Sequence, residues 1–263
     1  MNDIVYTRTG RGEPLVLIHG VGHRRQAWDP VVPLLAPHRE VIAVDLPGFG
    51  ESPPQDGIYG VESALAAFAK FFAQLGLDRP HVAGNSLGGL LSLTLGKAAM
   101  VRSVTALSPA GLWTLPQRRY ALGMVRAHRV AAEWLPDRTA QNLAATGFGR
   151  TLMAGMMFSK PWQLSAQTVV EDARAFAAAP GFRPTLAEAK GRFRFEGPVL
   201  DIPVTIAWAE HDRILARPKV AYLRRLAPQA KLLVLPGCGH VPMSDDPELV
   251  ANVLLEGSAE VAG

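Results

Sequence analysis

The sequence predicts an α/β domain built on a mainly parallel, doubly wound sheet, with a helical insertion set into it. Three observations carry this. Short strands that are apolar along their whole length alternate with helical stretches, as expected of a parallel sheet covered on both faces. From Leu112 to Pro198 the alternation stops and no convincing strand occurs. After that, strand and helix resume. The expected division is therefore a core of residues 1–111 and 199–263, with 112–198 as a lid. At 263 residues the chain suits one such domain with a substantial core.

In chain order, Ile4–Thr9 reads as a strand, Gly10-Arg11-Gly12 as a hairpin turn, and Leu15–His19 as a buried strand. A helix is expected near Trp28–Leu35 and a strand over Glu40–Asp45. Leu65, Phe68, Phe72 and Leu75 recur at helical spacing, which predicts an amphipathic helix over about 60–76. A strand reaching Asn85, a Gly/Ala-rich helix after it and a strand at Ser103–Leu107 follow. The insertion reads as helices at Arg118–Trp134, Gln141–Met157 and Ser165–Ala178, punctuated by prolines. Strands return at Pro203–Trp208 and Lys231–Leu235, with a helix around Pro218–Leu226 between them. A helix near Pro247–Glu256 and a frayed tail, 257–263, finish the chain.

Composition narrows the function classes. The chain is 48% hydrophobic and 19% charged, with a net charge of +4. No apolar run reaches the ~20 residues that span a bilayer, and the first residues lack a signal-peptide pattern. A cytoplasmic protein, monomeric or a homodimer, is expected. A single cysteine, Cys238, excludes an internal disulfide and any multi-cysteine metal site. Residues 112–198 hold 12 Lys/Arg against 6 Asp/Glu, so the positive excess is concentrated there. A solvated helical surface accounts for it, and attraction of an anionic substrate is the sharper alternative. No nucleic-acid motif, metal-ligand spacing or phosphate-cradling loop is present, so neither nucleic acid nor a cofactor nor a metal is expected.

The chemistry-bearing stretch is His81-Val82-Ala83-Gly84-Asn85-Ser86-Leu87-Gly88-Gly89. A strand running through Gly-x-Ser-x-Gly into a helix matches a nucleophile elbow, where the serine sits on a sharp turn. A serine hydroxyl needs a base, itself oriented by a carboxylate. In this elbow type the order is serine, acid, histidine. His240, in the turn-rich loop Pro236–His240 after the last strand, is placed to be the base. His128 falls within an insertion helix and reads as a surface residue. Asp212 and Glu210, in the loop after Pro203–Trp208, are the acid candidates. Asp245 and Asp246 read as caps of the last helix. The N–H groups of Leu87 and Val21 are the expected oxyanion donors. Trp113, Met156, Met157 and Val241 are candidates for an apolar substrate pocket. His23 reads as a loop histidine, Asp45 as a residue that ties down its turn, and Cys238 as a small buried filler.

Taken together, His19-Gly20-Val21-Gly22, Asp45-Leu46-Pro47-Gly48-Phe49-Gly50-x-Ser52, Gly84-Asn85-Ser86-Leu87-Gly88-Gly89, Asp212 and Gly239-His240 resemble the α/β-hydrolase superfamily over almost the whole chain. The resemblance favours Asp212 over Glu210 as the acid. It implies a serine hydrolase acting on a small-molecule carboxylic ester or related acyl substrate, without a cofactor. Ser86 in place of an aspartate argues against the dehalogenase and epoxide hydrolase branches. The elbow is also similar to that of carbon–carbon hydrolases of meta-cleavage products, which usually carry Trp where this chain has Val241. A ligand receptor on a hydrolase fold is the remaining alternative.

Overall fold

A seven-stranded sheet in the order β1-β3-β2-β4-β5-β6-β7 forms the centre of the molecule. The computed structural model describes residues 4–191, 193–199 and 201–259. The strands are β1 (Tyr6–Thr9), β2 (Pro14–Ile18), β3 (Glu40–Val44), β4 (His81–Asn85), β5 (Ser103–Leu107), β6 (Val204–Ala209) and β7 (Lys231–Leu235). Every pairing is parallel except β1 with β3. Strands β4, β5 and β6 are buried along their whole length, the signature of a sheet covered on both faces.

The expected hairpin between the first two strands does not form. β1 reverses direction as predicted, but it pairs with β3, Tyr6 opposite Val44, which lies between it and β2. The glycine at position 10 serves a close approach instead. At φ 85° its backbone passes so near residues 36–39 that a Cβ there would lie 2.4 Å from the carbonyl oxygens of Ala36 and Arg39.

Helices cover the sheet: α1 (Val32–Leu35), α2 (Val61–Leu75), α3 (Leu87–Lys97), α9 (Val220–Leu226), α10 (Pro242–Asp245) and α11 (Pro247–Gly257). The helix expected near Trp28–Leu35 is two short pieces, a 3-10 turn at Arg25–Trp28 and α1. α3 is buried almost all round, and Gly96 lets it approach β5, since a Cβ would lie 2.7 Å from a Val104 methyl. The first residues of the tail expected to fray, 257 and 258, are instead held against the core. Gly257 lies against Thr105, and Ser258 accepts from Arg39 Nε at 3.1 Å through its hydroxyl and from the same guanidinium at 2.7 Å through its carbonyl. Residues 260–263 lie outside the described residues.

Between β5 and β6 the chain holds α4 (Leu115–Trp134), α5 (Asp137–Ala144), α6 (Gly147–Ala154), α7 (Ala166–Ala178) and α8 (Phe182–Ala189), with no strand among the described residues there. The helix expected over Gln141–Met157 is two. Thr146 breaks it, its hydroxyl accepting from Gly149 N at 3.0 Å as an N-cap of α6. Among the described residues no helix is long and apolar enough to cross a membrane.

Candidate active site

Ser86 occupies the junction of β4 and α3 with φ 56° and ψ −113°, a conformation that costs a non-glycine residue strain. Neighbouring glycines make room for it. A Cβ at Gly84 would lie 2.2 Å from Gly88 O, and one at Gly88 only 2.0 Å from Ile18 O. A Cβ at Gly20 would meet the Cβ of Ser86 at 3.2 Å, so the loop after β2 runs directly beside the serine. Ser86 N–H donates to Leu107 O at 3.0 Å, and Ser86 O accepts from Ala110 N at 2.9 Å, which fixes the turn against β5.

His240 lies in the loop after β7, buried, with its Nδ1 2.8 Å from Asp212 Oδ2. The carboxylate is almost fully enclosed, its side chain 2% exposed. Its other oxygen, Oδ1, accepts from Ile214 N at 2.9 Å and Leu215 N at 2.7 Å. Burial pushes the Asp212 carboxyl up, but the adjacent His240, the hydrogen bond to it and the two backbone N–H groups outweigh this and hold it below the usual range. Glu210, the other acid candidate, is exposed and accepts from Gly237 N at 2.8 Å. Asn85 bridges the elbow and the histidine, its Nδ2 donating to His240 O at 2.9 Å. Ser86 Oγ and His240 share no hydrogen bond in this structure.

Leu87 N opens α3, and among the described residues neither its N–H nor that of Val21 has an acceptor. His19, buried behind this loop, orients it. Nδ1 donates to Gly20 O at 2.7 Å and Nε2 accepts from Leu46 N at 3.0 Å, which defines one neutral tautomer. Burial lowers the His19 pKa and keeps it in that form. Because a trans peptide points its C=O and N–H in opposite directions, anchoring Gly20 O also sets the direction of Val21 N–H. Asp45 ties down its turn as expected, accepting from Arg25 N at 2.6 Å and Glu51 N at 2.9 Å and pairing with the Arg25 guanidinium.

A cavity of about 390 Å³, partly open to solvent, runs from Ser86 between α4 and α8. Val21, Leu87, Trp113, Phe193 and Leu215 are among its walls, and Thr185 and Ser86 are its polar members. A second hollow of about 350 Å³ lies on the other side of Leu87, sharing Thr185 and Phe193. Among the described residues neither carries a charged side chain in its lining. Of the four pocket candidates, Trp113 lines the Ser86 cavity. Met156 lies against a separate surface hollow beside Asp212 and Arg213. Met157 and Val241 are enclosed in the core, where Val241 N donates to Met157 O at 3.0 Å.

Sequence reasoning missed what holds the His240 loop. Asp245 does not cap the last helix. That role is Asp246's, accepting from Leu249 N at 3.0 Å. Asp245 is buried and takes Ser159 N at 2.9 Å, Lys160 N at 2.8 Å and Gly239 N at 2.7 Å. Ser159 Oγ also donates to Gly237 O. The signal was in the pair itself, because one helix start needs one capping acid. His128, expected at the surface, is half-buried, edge-on to Phe176 with ring centroids 4.9 Å apart, and burial lowers its pKa. His23 meets the same ring, and burial, with His19, His128, His240 and Arg24 nearby, brings its pKa to about 3. Cys238 is fully buried, and that burial, with Asp245 and Asp246 close by, pushes the thiol up to about 12, so it is no thiolate nucleophile.

At the carboxyl edge of the parallel sheet the structure brings together a strained serine on a strand–turn–helix and, through Asn85, a buried histidine–carboxylate pair. Residues 15–253 match the alpha/beta hydrolase family, and the chain belongs to it. Among curated proteins, it is 29% identical over 247 residues to the dihydrolipoyllysine-residue acetyltransferase component of the acetoin cleaving system of Pseudomonas putida, covering 93% of this chain and 63% of that one. Over 88 residues it is 49% identical to a 2-hydroxy-6-oxo-2,4-heptadienoate hydrolase of Pseudomonas putida strain F1, 32% of either chain. The chain thus spans less than two thirds of the length of these two relatives. The enol-lactonase of Burkholderia xenovorans LB400 shares the fold with a TM-score of 0.78 at 18% identity, over 98% of this chain and 96% of that one.

Proposed function

We propose that this hydrolase cleaves carboxylic esters of small molecules through an acyl-enzyme, with Ser86 as nucleophile, His240 as base and Asp212 as its orienting acid. The observation that carries this reading is the buried His240 Nδ1–Asp212 Oδ2 bond of 2.8 Å beside a serine held at positive φ. With Nδ1–H committed to the carboxylate, Nε2 carries the lone pair and takes the Ser86 proton as Oγ attacks the acyl carbon. The oxyanion is received by the Val21 and Leu87 N–H groups, each worth roughly 3 kcal/mol of barrier. His240 then returns the proton to the leaving alcohol. A water deprotonated by His240 hydrolyses the acyl-enzyme and regenerates Ser86. The insertion, residues 112–198, acts as a lid, since α4 and α8 wall the acyl cavity. The uncharged lining suits a neutral acyl chain.

The test is hydrolysis of p-nitrophenyl esters from short to long acyl chains, with S86A beside the wild type. Release that depends on chain length and falls by a factor of about 10³ or more in the variant supports the reading. A second reading, hydrolysis of a carbon–carbon bond in a dienoate, is favoured by the likeness over 88 residues to the heptadienoate hydrolase. Against it stands the lining, whose described residues offer no cation to a carboxylate substrate. Negligible ester release together with rapid bleaching of a coloured dienoate would replace the first reading with the second.

A further inference from the structure

Beyond Trp113, on the side away from Ser86, lies an open groove of about 1200 Å³. Among the described residues its charged members are Arg118, Arg194, Arg217 and Lys219, and no carboxylate lines it. Among the described residues none of the four forms an ion pair. Elsewhere on the insertion Arg129 and Arg183 share Glu133, and Arg174 pairs with Asp137. Four unpaired cations sharing one concavity, within reach of one another's fields at physiological salt, raise the local potential well above that of a scattered basic face. Three are arginines, whose planar forks match phosphate oxygens two at a time.

The groove and the Ser86 cavity meet at one side chain. The indole of Trp113 lines both, anchored by Nε1 donating to Phe193 O at 3.1 Å. Phe195 N donates to Gly111 O at 3.1 Å, so 111–113 and 193–195 run together as a thin partition. Along it Phe193 faces the cavity and Arg194 lines the groove. On the opposite wall Leu215 faces the cavity and Arg217 lines the groove. An apolar compartment holding the nucleophile thus adjoins a cationic one across the width of a single indole.

We propose that the groove binds the phosphate of the leaving group, so that the preferred substrates are acyl esters or thioesters whose leaving group bears a phosphate. The acyl chain fills the cavity at Ser86, and the phosphate-bearing part passes Trp113 into the groove. This rests on the ester reading and deepens it. The bond broken is the ordinary acyl bond; the alcohol or thiol departs with the proton from His240, and the phosphate remains intact. Since the phosphate lies away from the reacting carbon, its contribution enters as binding energy and appears mainly in KM.

The experiment compares three substrates sharing one hexanoyl chain: 1-hexanoylglycerol, 1-hexanoylglycerol 3-phosphate and hexanoyl-coenzyme A. Each is assayed with the wild type and with a variant carrying Arg118→Gln, Arg194→Gln, Arg217→Gln and Lys219→Gln. The expected result is a kcat/KM at least about tenfold higher for one or both phosphate-bearing substrates than for the neutral ester. That advantage should shrink as salt rises from about 20 to 500 mM and vanish in the variant, whose rate on the neutral ester stays unchanged. A preference confined to the coenzyme A thioester identifies a nucleotide source, and one confined to the glycerol phosphate identifies a lipid headgroup. Equal rates on all three, or a preference that survives the four substitutions, would overturn the proposal. Titration of S86A with coenzyme A and with glycerol 3-phosphate separates the two readings. Binding that requires the four cations, with no ester turned over, leaves the groove standing and removes the esterase. Absence of both binding and preference removes the groove alone if the neutral ester is still cleaved.

Discussion

Replacing Asp212 by Asn exchanges one oxygen for a nitrogen and leaves the architecture around it intact. Oδ1 can go on accepting from Ile214 N at 2.9 Å and Leu215 N at 2.7 Å, so the buried backbone donors stay satisfied. The new Nδ2 then stands where Oδ2 stood, 2.8 Å from His240 Nδ1. Being a donor, it forces Nδ1 to accept and moves the ring proton to Nε2, where the lone pair for Ser86 is needed. The charge that steadies the imidazolium is lost as well. Opposite charges about 4 Å apart at an effective dielectric of about 20 interact by ~4 kcal/mol. At about 1.4 kcal/mol per decade that is a factor of about 10³ in kcat, and the inverted tautomer takes the loss toward 10⁴. KM should change little, because Asp212 does not line the Ser86 cavity. The melting temperature should move by a few degrees at most, since ~1 kcal/mol shifts a domain of this size by about 3 °C. Steady-state kinetics on a p-nitrophenyl ester with a thermal melt of the same preparation measures all three. A kcat within tenfold of wild type, or a loss confined to KM, would refute the assignment of Asp212.

Four further substitutions test the parts around it. Asp245→Ala strands the half-buried Ser159 and Lys160 N–H groups and the buried Gly239 N–H and should cost about 2–4 kcal/mol in denaturant unfolding, with a fall in kcat of about tenfold as the His240 loop loosens. Gly88→Ala drives a Cβ to 2.0 Å from Ile18 O, backbone that cannot yield, and should cost more than about 3 kcal/mol; Gly123→Ala on α4 meets nothing within 4 Å and should instead stabilise by about 0.5–1 kcal/mol. His23 is buried neutral with a pKa near 3 against an ordinary 6.5, so unfolding takes up a proton as the pH falls through that window. Its contribution is intact above about pH 6.5 and is lost progressively toward pH 3. The slope of stability against pH near pH 5 should therefore be shallower in His23→Leu by close to one proton, read from urea melts; an unchanged slope would show that His23 does not titrate on unfolding.

Most of the frame was readable because each strand is a short apolar run and each helix keeps its own period. Val82, Ala83 and Gly84 announce a doubly covered strand whatever surrounds them, and the elbow follows because only glycines fit at 84 and 88. What escaped depends on partners distant in sequence. The pairing of Tyr6 with Val44 rather than with β2 is set by which strand occupies the adjacent slot, and a two-glycine turn cannot encode that. Placing Met156, Met157 and Val241 in the pocket failed because apolar character does not tell a cavity wall from the core behind it. Asp245 escaped because its three donors come from two segments some 80 residues apart. His128 escaped because flanking arginines made its helix face look wet, while Phe176 of another helix covers the ring.

The segment Met157–Lys160 is joined to the Pro236–Asp245 loop through Val241 N to Met157 O, through Ser159 Oγ to Gly237 O and through Asp245 to both. A Cβ at Gly239 would lie 2.6 Å from Ser159 N, so the two chains run in contact. The insertion is therefore not a detachable module with hinges only at its ends. Grafting residues 112–198 from a relative onto this core would transplant a new specificity pocket and at the same time sever the bracket around the histidine. Such a chimera should fold yet turn over poorly until residues 236–246 are exchanged with it. Recombination and drift at this site would then be expected to treat the two stretches as one inherited block, although more than 70 residues separate them in the chain.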